Sequence, residues 1–250
     1  MSTPALRNGE VARFEEVLGL GDDALIAAQR LAEWCARAPD LEEDVALANI
    51  ALDQLGAARL LLSYAGELEQ AGRGEDELAY LRDDRQFRNV LLVELPNGDF
   101  ATTMAKLLFL ATAQRLRYRR LAAGSDQRLA GIAAKAVKES TYHLEHAALW
   151  TVRLGDGTDE SHRRMQLAID ELWPYSYELC DDPAGGAGGE LAWQEWSAVV
   201  TPVLREATLT VPADGGWAPR GGRVGRHTEH LSYLLAELQV LHRAHPGASW

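Results

Sequence analysis

The residues best suited to chemistry lie together in KESTYHLEHAALW, residues 138–150. Glu139, His143 and His146 follow one another at spacings of four and three residues, which places them on neighbouring parts of one helix face. Carboxylates and imidazoles are the ligands that proteins use for zinc and iron. A single-metal site of these three residues is therefore one hypothesis. Hydrogen-bonded histidines on a half-buried helix are the plainer interpretation, which we favour.

Long helices must position these residues. Apolar patterning and capping signals predict a helix from Asp22 to Pro39 and a second that opens near Asp40. The turn PNGD opens a third, and a fourth follows Gly124-Ser125. Shorter helices are expected near 75–83, 158–180, 190–207 and 226–244, and VLLVEL is expected to be helical or irregular. Long helices without alternating strands predict an all-α bundle.

The expected organisation is one helical domain with a short N-terminal arm. The arm covers residues 1–20 and the domain residues 21–250, with a core bundle at about 22–155 and C-terminal helices at about 157–245. The glycine-rich PAGGAGG, residues 183–189, is expected to be a flexible connector.

A polar residue recurs at the same relative depth on each of the four long helices. These residues are Gln29, Asp53, Gln114 and Glu139, and the two separations within pairs are 24 and 25 residues. Ferritin-like carboxylate bundles have this layout, with one Glu and one Glu-x-x-His from each half.

The comparison with that layout also shows what is missing. Two of the four carboxylates are glutamines, and the histidine positions hold Gly56 and Tyr142. The sequence has no histidine before His143. A di-iron site with one imidazole from each half therefore cannot be built within this chain.

We expect a residual polar cluster in place of the metal. Two buried carboxylates repel each other unless a cation or a proton compensates them. Lys135 is expected to supply that charge to Asp53 and Glu139, and Tyr142 to fill the space that a metal would occupy.

Composition and charge limit the classes of partner and the cellular location that are expected for this chain. The 250 residues carry a net charge of −12, which disfavours nucleic acid and gives no reason to expect a membrane surface. The sequence contains no run of eighteen or more apolar residues, so no membrane-spanning helix is expected. The N-terminus does not resemble a secretory signal. Cys35 and Cys180 are expected to be buried, reduced thiols in a cytoplasmic protein.

Three further motifs have plain interpretations. The segment 227-HTEHL-231 resembles a metal motif but is expected to be the polar first turn of a helix. The glycines of RGGRVG and PAGGAGG lack the strand-to-helix context of a phosphate loop. The arginines of RLRYRRL are expected to form the solvated end of a helix, with docking of an acidic ligand or partner as the alternative.

Several segments together resemble the C subunit family of 1,2-phenylacetyl-CoA epoxidase, also called phenylacetate-CoA oxygenase. They are DDALIAAQRLAEWC, LANIALDQLGAARLLL, VELPNGDFATTM, AKAVKESTYHLEHAALWTVRLGDGT and HTEHLSYLLAELQVLHRAHPGASW, in order from about residue 20 to 250. The resemblance implies a ferritin-like fold and a non-catalytic partner of a di-iron A subunit. It implies that the complex uses molecular oxygen and reductase-delivered electrons to epoxidise the ring of phenylacetyl-CoA. It places no cofactor in this chain.

The leading hypothesis is thus an accessory subunit that pairs with a catalytic A-type subunit of the same fold. Other subunits and, indirectly, phenylacetyl-CoA are further partners that this hypothesis allows. One alternative is a self-sufficient ferritin-like metalloenzyme using Glu139, His143 and His146. Another is a stand-alone helical module that binds an acyl-CoA or a protein.

Overall fold

The computed structural model describes residues 8–181 and 187–248, and within these ranges all regular structure is helical. The chain divides into two compact units, Met1–Pro96 with Gly221–Trp250, and Asn97–Arg220. The sequence predicted a single domain in which all C-terminal helices follow the core. That organisation stays a prediction, and within the two units the last helix groups with the N-terminal segment.

The first unit is built on two long helices that pack along each other. They are α1 (Asn8–Ala32) and α2 (Leu41–Glu69), followed by the short helices α3 (Glu75–Tyr80) and α4 (Leu91–Glu94). The C-terminal helix α9 (Glu229–Ala244) contacts α3, α4 and the 3₁₀ turn Asp84–Gln86. The predicted helical or irregular state of VLLVEL is confirmed, since α4 lies in it.

The second unit pairs α5 (Phe100–Ala122) with α6 (Gln127–Gly155), and α7 (Asp159–Leu179) and α8 (Ala187–Glu206) pack against them. Its core includes Phe109, Trp173 and Trp196, whose rings meet edge to face. The Trp196 indole N–H donates to the Phe109 carbonyl oxygen at 3.0 Å, so a polar atom of this apolar cluster is satisfied.

Four helices, α2, α5, α6 and α7, begin at capping side chains close to where the sequence predicted. The Asp40, Asp99, Asp126 and Thr158 side chains accept hydrogen bonds from backbone N–H groups of the first turns of α2, α5, α6 and α7. Each cap satisfies donors that the helix itself leaves without partners. These helices begin and end close to the predicted positions.

The prediction of an N-terminal arm over residues 1–20 is wrong from residue 8 onward. Helix α1 begins at Asn8 and buries Phe14, Val17 and Leu18. Asp22, the predicted cap, lies inside the helix. Gly21 beside it lets α2 approach closely, because a Cβ there would lie 2.8 Å from the Leu62 side chain. Residues 1–7 are outside the described part of the chain.

Two smaller predictions have mixed outcomes. Cys180 is buried, and burial raises the pKa of its thiol to about 12, whereas Cys35 is exposed in the turn after α1. Of the predicted connector 183–189, residues 187–189 are helical, and residues 183–186 lie outside the described residues.

Candidate functional site

The α5–α6 pair carries the second set of predicted site residues. Gln114 is buried on α5, and the Glu139 side chain on α6 is 18% exposed. The Glu139 carboxylate forms a salt bridge and hydrogen bond with Lys135, one turn earlier on the same helix. This part of the predicted polar cluster is present. The Lys135 side chain is 57% exposed, so the pair extends toward solvent.

The residues of the opening motif differ in burial along helix α6. Buried residues of α6 recur every three or four positions, and His143, only 3% exposed, lies among them. His146 is half-buried, one turn farther on. Tyr142 is 70% exposed, so the expectation that it fills the space of a lost metal is wrong. A position one residue before the buried stripe is rotated by about 100° from it.

The α1–α2 pair carries the first set of predicted site residues. Gln29 and Asp53 are both half-buried, while Gln54, the neighbour of Asp53, is buried. Asp53 belongs to the first unit, whereas Lys135 and Glu139 belong to the second. That Asp53 joins the Lys135–Glu139 pair stays a prediction.

The donor set does not fit a di-iron centre. Across residues 8–181 and 187–248, no three His, Cys, Asp or Glu side chains are grouped so as to hold a metal ion. Amide oxygens at Gln29 and Gln114 are neutral, and the Glu139 carboxylate is engaged by a lysine. Di-iron carboxylate sites need the negative charge of these ligands and an imidazole from each half.

A polar site that the sequence did not predict lies in the first unit. The Asp22 and Arg82 side chains are 0% and 2% exposed and form a bidentate ion pair, with Arg82 Nη1 2.9 Å from Asp22 Oδ2. Arg82 also donates to the Gln86 carbonyl oxygen at 3.0 Å, and the Arg88 backbone N–H donates to Asp22 at 2.8 Å. The charges are therefore both paired and hydrogen-bonded, as burial requires.

The adjacent Asp23 holds two other segments. Its carboxylate accepts from the Val90 backbone N–H at 2.8 Å and from the Arg223 guanidinium at 2.6 Å. Arg223 also donates to the Arg88 carbonyl oxygen at 2.8 Å. Consecutive aspartates on α1 thus fix the turn before α4 and the segment before α9.

Glu94 and His227 complete this buried group. The Glu94 carboxylate lies 2.8 Å from His227 Nδ1 and accepts from Asn89 Nδ2 at 2.9 Å and from the Thr228 N–H at 2.6 Å. His227 Nε2 lies 3.1 Å from the Phe87 carbonyl oxygen. Both ring nitrogens face acceptors, so only the imidazolium donates to both.

The environment of His227 favours that charged form. Burial by itself lowers the pKa, but the hydrogen bond and charge of Glu94 outweigh it and raise the pKa of His227 above its ordinary value. Smaller contributions come from the Phe87 carbonyl and from Asp22. The HTEHL segment is therefore only partly as predicted. Helix α9 begins at Glu229, whereas the His227 side chain, 4% exposed, lies before it in an ion pair.

The sequence carries one local signal for this group, and the same signal also fits a helix cap. Asp22-Asp23 lies between apolar residues, a pattern that suggested a helix cap because Asp is common there. The partners, Arg82 and Arg223, lie 60 and 200 residues away. Such distant pairing cannot be deduced from local pattern alone.

Comparison with known proteins gives two matches. The profile of the phenylacetic acid catabolic protein family matches residues 3–250. The chain is also 49% identical over 243 residues to the C subunit of 1,2-phenylacetyl-CoA epoxidase from Escherichia coli (strain K12), covering 93% of this chain and 97% of that protein. The resemblance noted from the sequence is confirmed, and so is the all-α, ferritin-like fold class.

Proposed function

Because this chain belongs to the phenylacetic acid catabolic protein family, we propose that it is a non-catalytic, structural subunit of a phenylacetyl-CoA epoxidase in aerobic phenylacetate breakdown. Its partner in this proposal is a di-iron catalytic subunit of the same fold. The assembly works in the cytoplasm, and this chain holds no cofactor of its own.

The observation that carries the proposal is the near full-length match to the C subunit of an epoxidase. Identity of 49% covers 97% of that protein, so the likeness extends over both units and is not confined to one motif. Similarity at this level supports the same place in the same kind of complex.

The donor set supports the non-catalytic part of the proposal. In this proposal, Gln29, Gln114 and the Glu139–Lys135 pair correspond to the positions where a ferritin-like oxygenase keeps anionic ligands. The partner's di-iron centre activates oxygen in this proposal. The present chain contributes buried helices and surfaces that hold the partner in its active arrangement.

Iron content and epoxidase activity test the proposal together. The chain is purified without chelators, alone and then with the catalytic subunit from the same cells, and is assayed with phenylacetyl-CoA, oxygen and the reductase component. The expected result is no stoichiometric iron and no turnover for the chain alone, and turnover when both subunits are present.

Two results would contradict the proposed function, and each would favour one of the alternative functions. About one iron or zinc per isolated chain, lost in His143→Ala, would instead support the self-sufficient metalloenzyme. Failure to form any stable complex with a metal-containing bundle would support the stand-alone binding module. His162→Ala is the matched control, since His162 lies outside the motif on α7.

A further inference from the structure

Helix α2 carries a second apolar face that the described part of the chain leaves exposed. Its side chains at positions 41, 45, 48, 52, 55 and 59 are all exposed. Leu41, Val45, Leu52 and Leu55 are 74%, 52%, 64% and 46% exposed. These six positions, here called the α2 outer stripe, also include Ala48 and Arg59.

The spacing of the α2 outer stripe is that of a helix–helix seam. Steps of four, three, four, three and four residues follow the heptad a and d positions over about five turns of helix. Side chains at this period form a straight line that a second helix can cover along its length. A short peptide or a small ligand would not need so long a line.

The opposite face of the same helix is already used. Leu47, Ile50, Leu61 and Leu62 are buried within the first unit, where α2 packs along α1. Apolar residues therefore occupy both faces, and only 44% of the most apolar stretch of α2 is buried. Apolar side chains on two faces of one helix indicate that both faces are covered in its working state.

A membrane fits this helix poorly as the covering environment. Its first turn carries Glu42, Glu43 and Asp44, and the stripe itself ends in Arg59, whose side chain is 73% exposed. Length and composition would permit a span. Charges within a membrane-spanning segment are costly, however, so these charges favour a protein surface.

We propose that the α2 outer stripe is the docking face for an apolar helix of the same-fold catalytic subunit. This inference rests on the proposed function, because the epoxidase supplies the partner. The acidic first turn, at one end of the stripe, sets the direction of the covering helix. The covering helix places a basic residue beside Glu42. At the other end Arg59 already lies 3.8 Å from Glu75 of this chain, so the partner needs no acidic residue there.

The test uses the full chain and the purified catalytic subunit. Leu52→Glu/Leu55→Glu places two carboxylates in the stripe, and Leu167→Glu on α7, 49% exposed in the wild type, is the matched surface control. Binding is measured by titration calorimetry, and thermal unfolding of each free chain verifies folding. The stripe variant is expected to bind about 100-fold more weakly, because it buries charge in an apolar seam. The Leu167 variant is expected to bind within about twofold of wild type, as a site outside the interface does.

Other outcomes overturn the assignment. Equal binding by wild type and the stripe variant removes α2 from the interface while leaving the proposed function intact. Absence of any complex with the wild-type chain contradicts the proposed function itself. A wild-type chain that sediments as a homodimer, or that floats with phospholipid vesicles, and loses this behaviour in the stripe variant, assigns the stripe to a second copy or to a membrane. Glu42→Lys provides a test of direction, since it should weaken binding if a basic residue of the partner faces Glu42.

Discussion

Asp22 and Arg82 illustrate how single side chains hold the first unit together. Both are almost completely removed from solvent, and each makes further hydrogen bonds to backbone groups near Gln86 and Arg88. A buried charge is tolerable only with such a partner, because its desolvation is not otherwise compensated. The pair therefore matters more to folding than the exposed ion pairs of the same chain.

Asp22→Ala is predicted to destabilise the chain by about 3–5 kcal/mol, since it leaves the Arg82 guanidinium buried without its counter-charge. The free energy of unfolding is measured by urea denaturation that is monitored by circular dichroism. Glu195→Ala, which removes an exposed partner of Arg120, should barely change the unfolding midpoint. Equal effects of the two substitutions would show that the buried pair has no special role.

His227 gives the chain a predicted dependence on pH. Its pKa is raised in the folded state, so its contribution is fully present below the unfolded value of about 6.5. The contribution is lost as the pH rises through the folded pKa. The melting temperature should thus fall as the pH rises above about 6.5 and through the raised pKa of His227.

Two variants isolate this contribution of His227. His227→Gln and Glu94→Gln should each flatten the decline of melting temperature over that pH range, because either removes the imidazolium–carboxylate pair. Identical pH profiles for wild type and both variants would show that the pair does not stabilise the fold.

Helix boundaries followed from local sequence wherever a capping side chain was available. Asp40, Asp99, Asp126 and Thr158 identified four helix starts, because Asp and Thr side chains satisfy free N–H groups locally. The start of α1 was missed because Asp22 offered the same signal but is paired through space with Arg82. Among the candidate site residues, the Lys135–Glu139 pair was predictable from its four-residue spacing. The exposure of Tyr142 depends on which face of α6 is buried.

Two glycines of α6 provide a matched pair of predictions. Gly131 lies inside the helix, and no atom lies within 4 Å of the position that a Cβ would take, so Gly131→Ala should stabilise the chain by about 0.5–1 kcal/mol. At Gly155 the added Cβ would lie 2.4 Å from the Ala207 carbonyl oxygen. Gly155→Ala should therefore lower the melting temperature. A stabilising effect at both positions would contradict the close packing of α6 against residue 207.

The whole molecule combines the helical fold of the phenylacetic acid catabolic protein family with the polar residues predicted to replace a metal site. The family match extends over residues 3–250, while the four predicted ligand positions hold two amides, Asp53 and a lysine-paired glutamate. In the proposed account, the fold is retained because a partner subunit packs on it. The α2 outer stripe supplies a surface of the length that such packing needs.

Turnover of the assembled epoxidase with Asp53→Asn/Glu139→Gln in this chain tests that account most directly. Both substitutions remove carboxylate charge at nearly constant size. The account predicts normal assembly and turnover per complex within about twofold of wild type, since removing a group outside the reaction costs no transition-state stabilisation. A loss of tenfold or more in a correctly assembled complex, about 1.4 kcal/mol in the barrier, would show that this chain takes part in the chemistry.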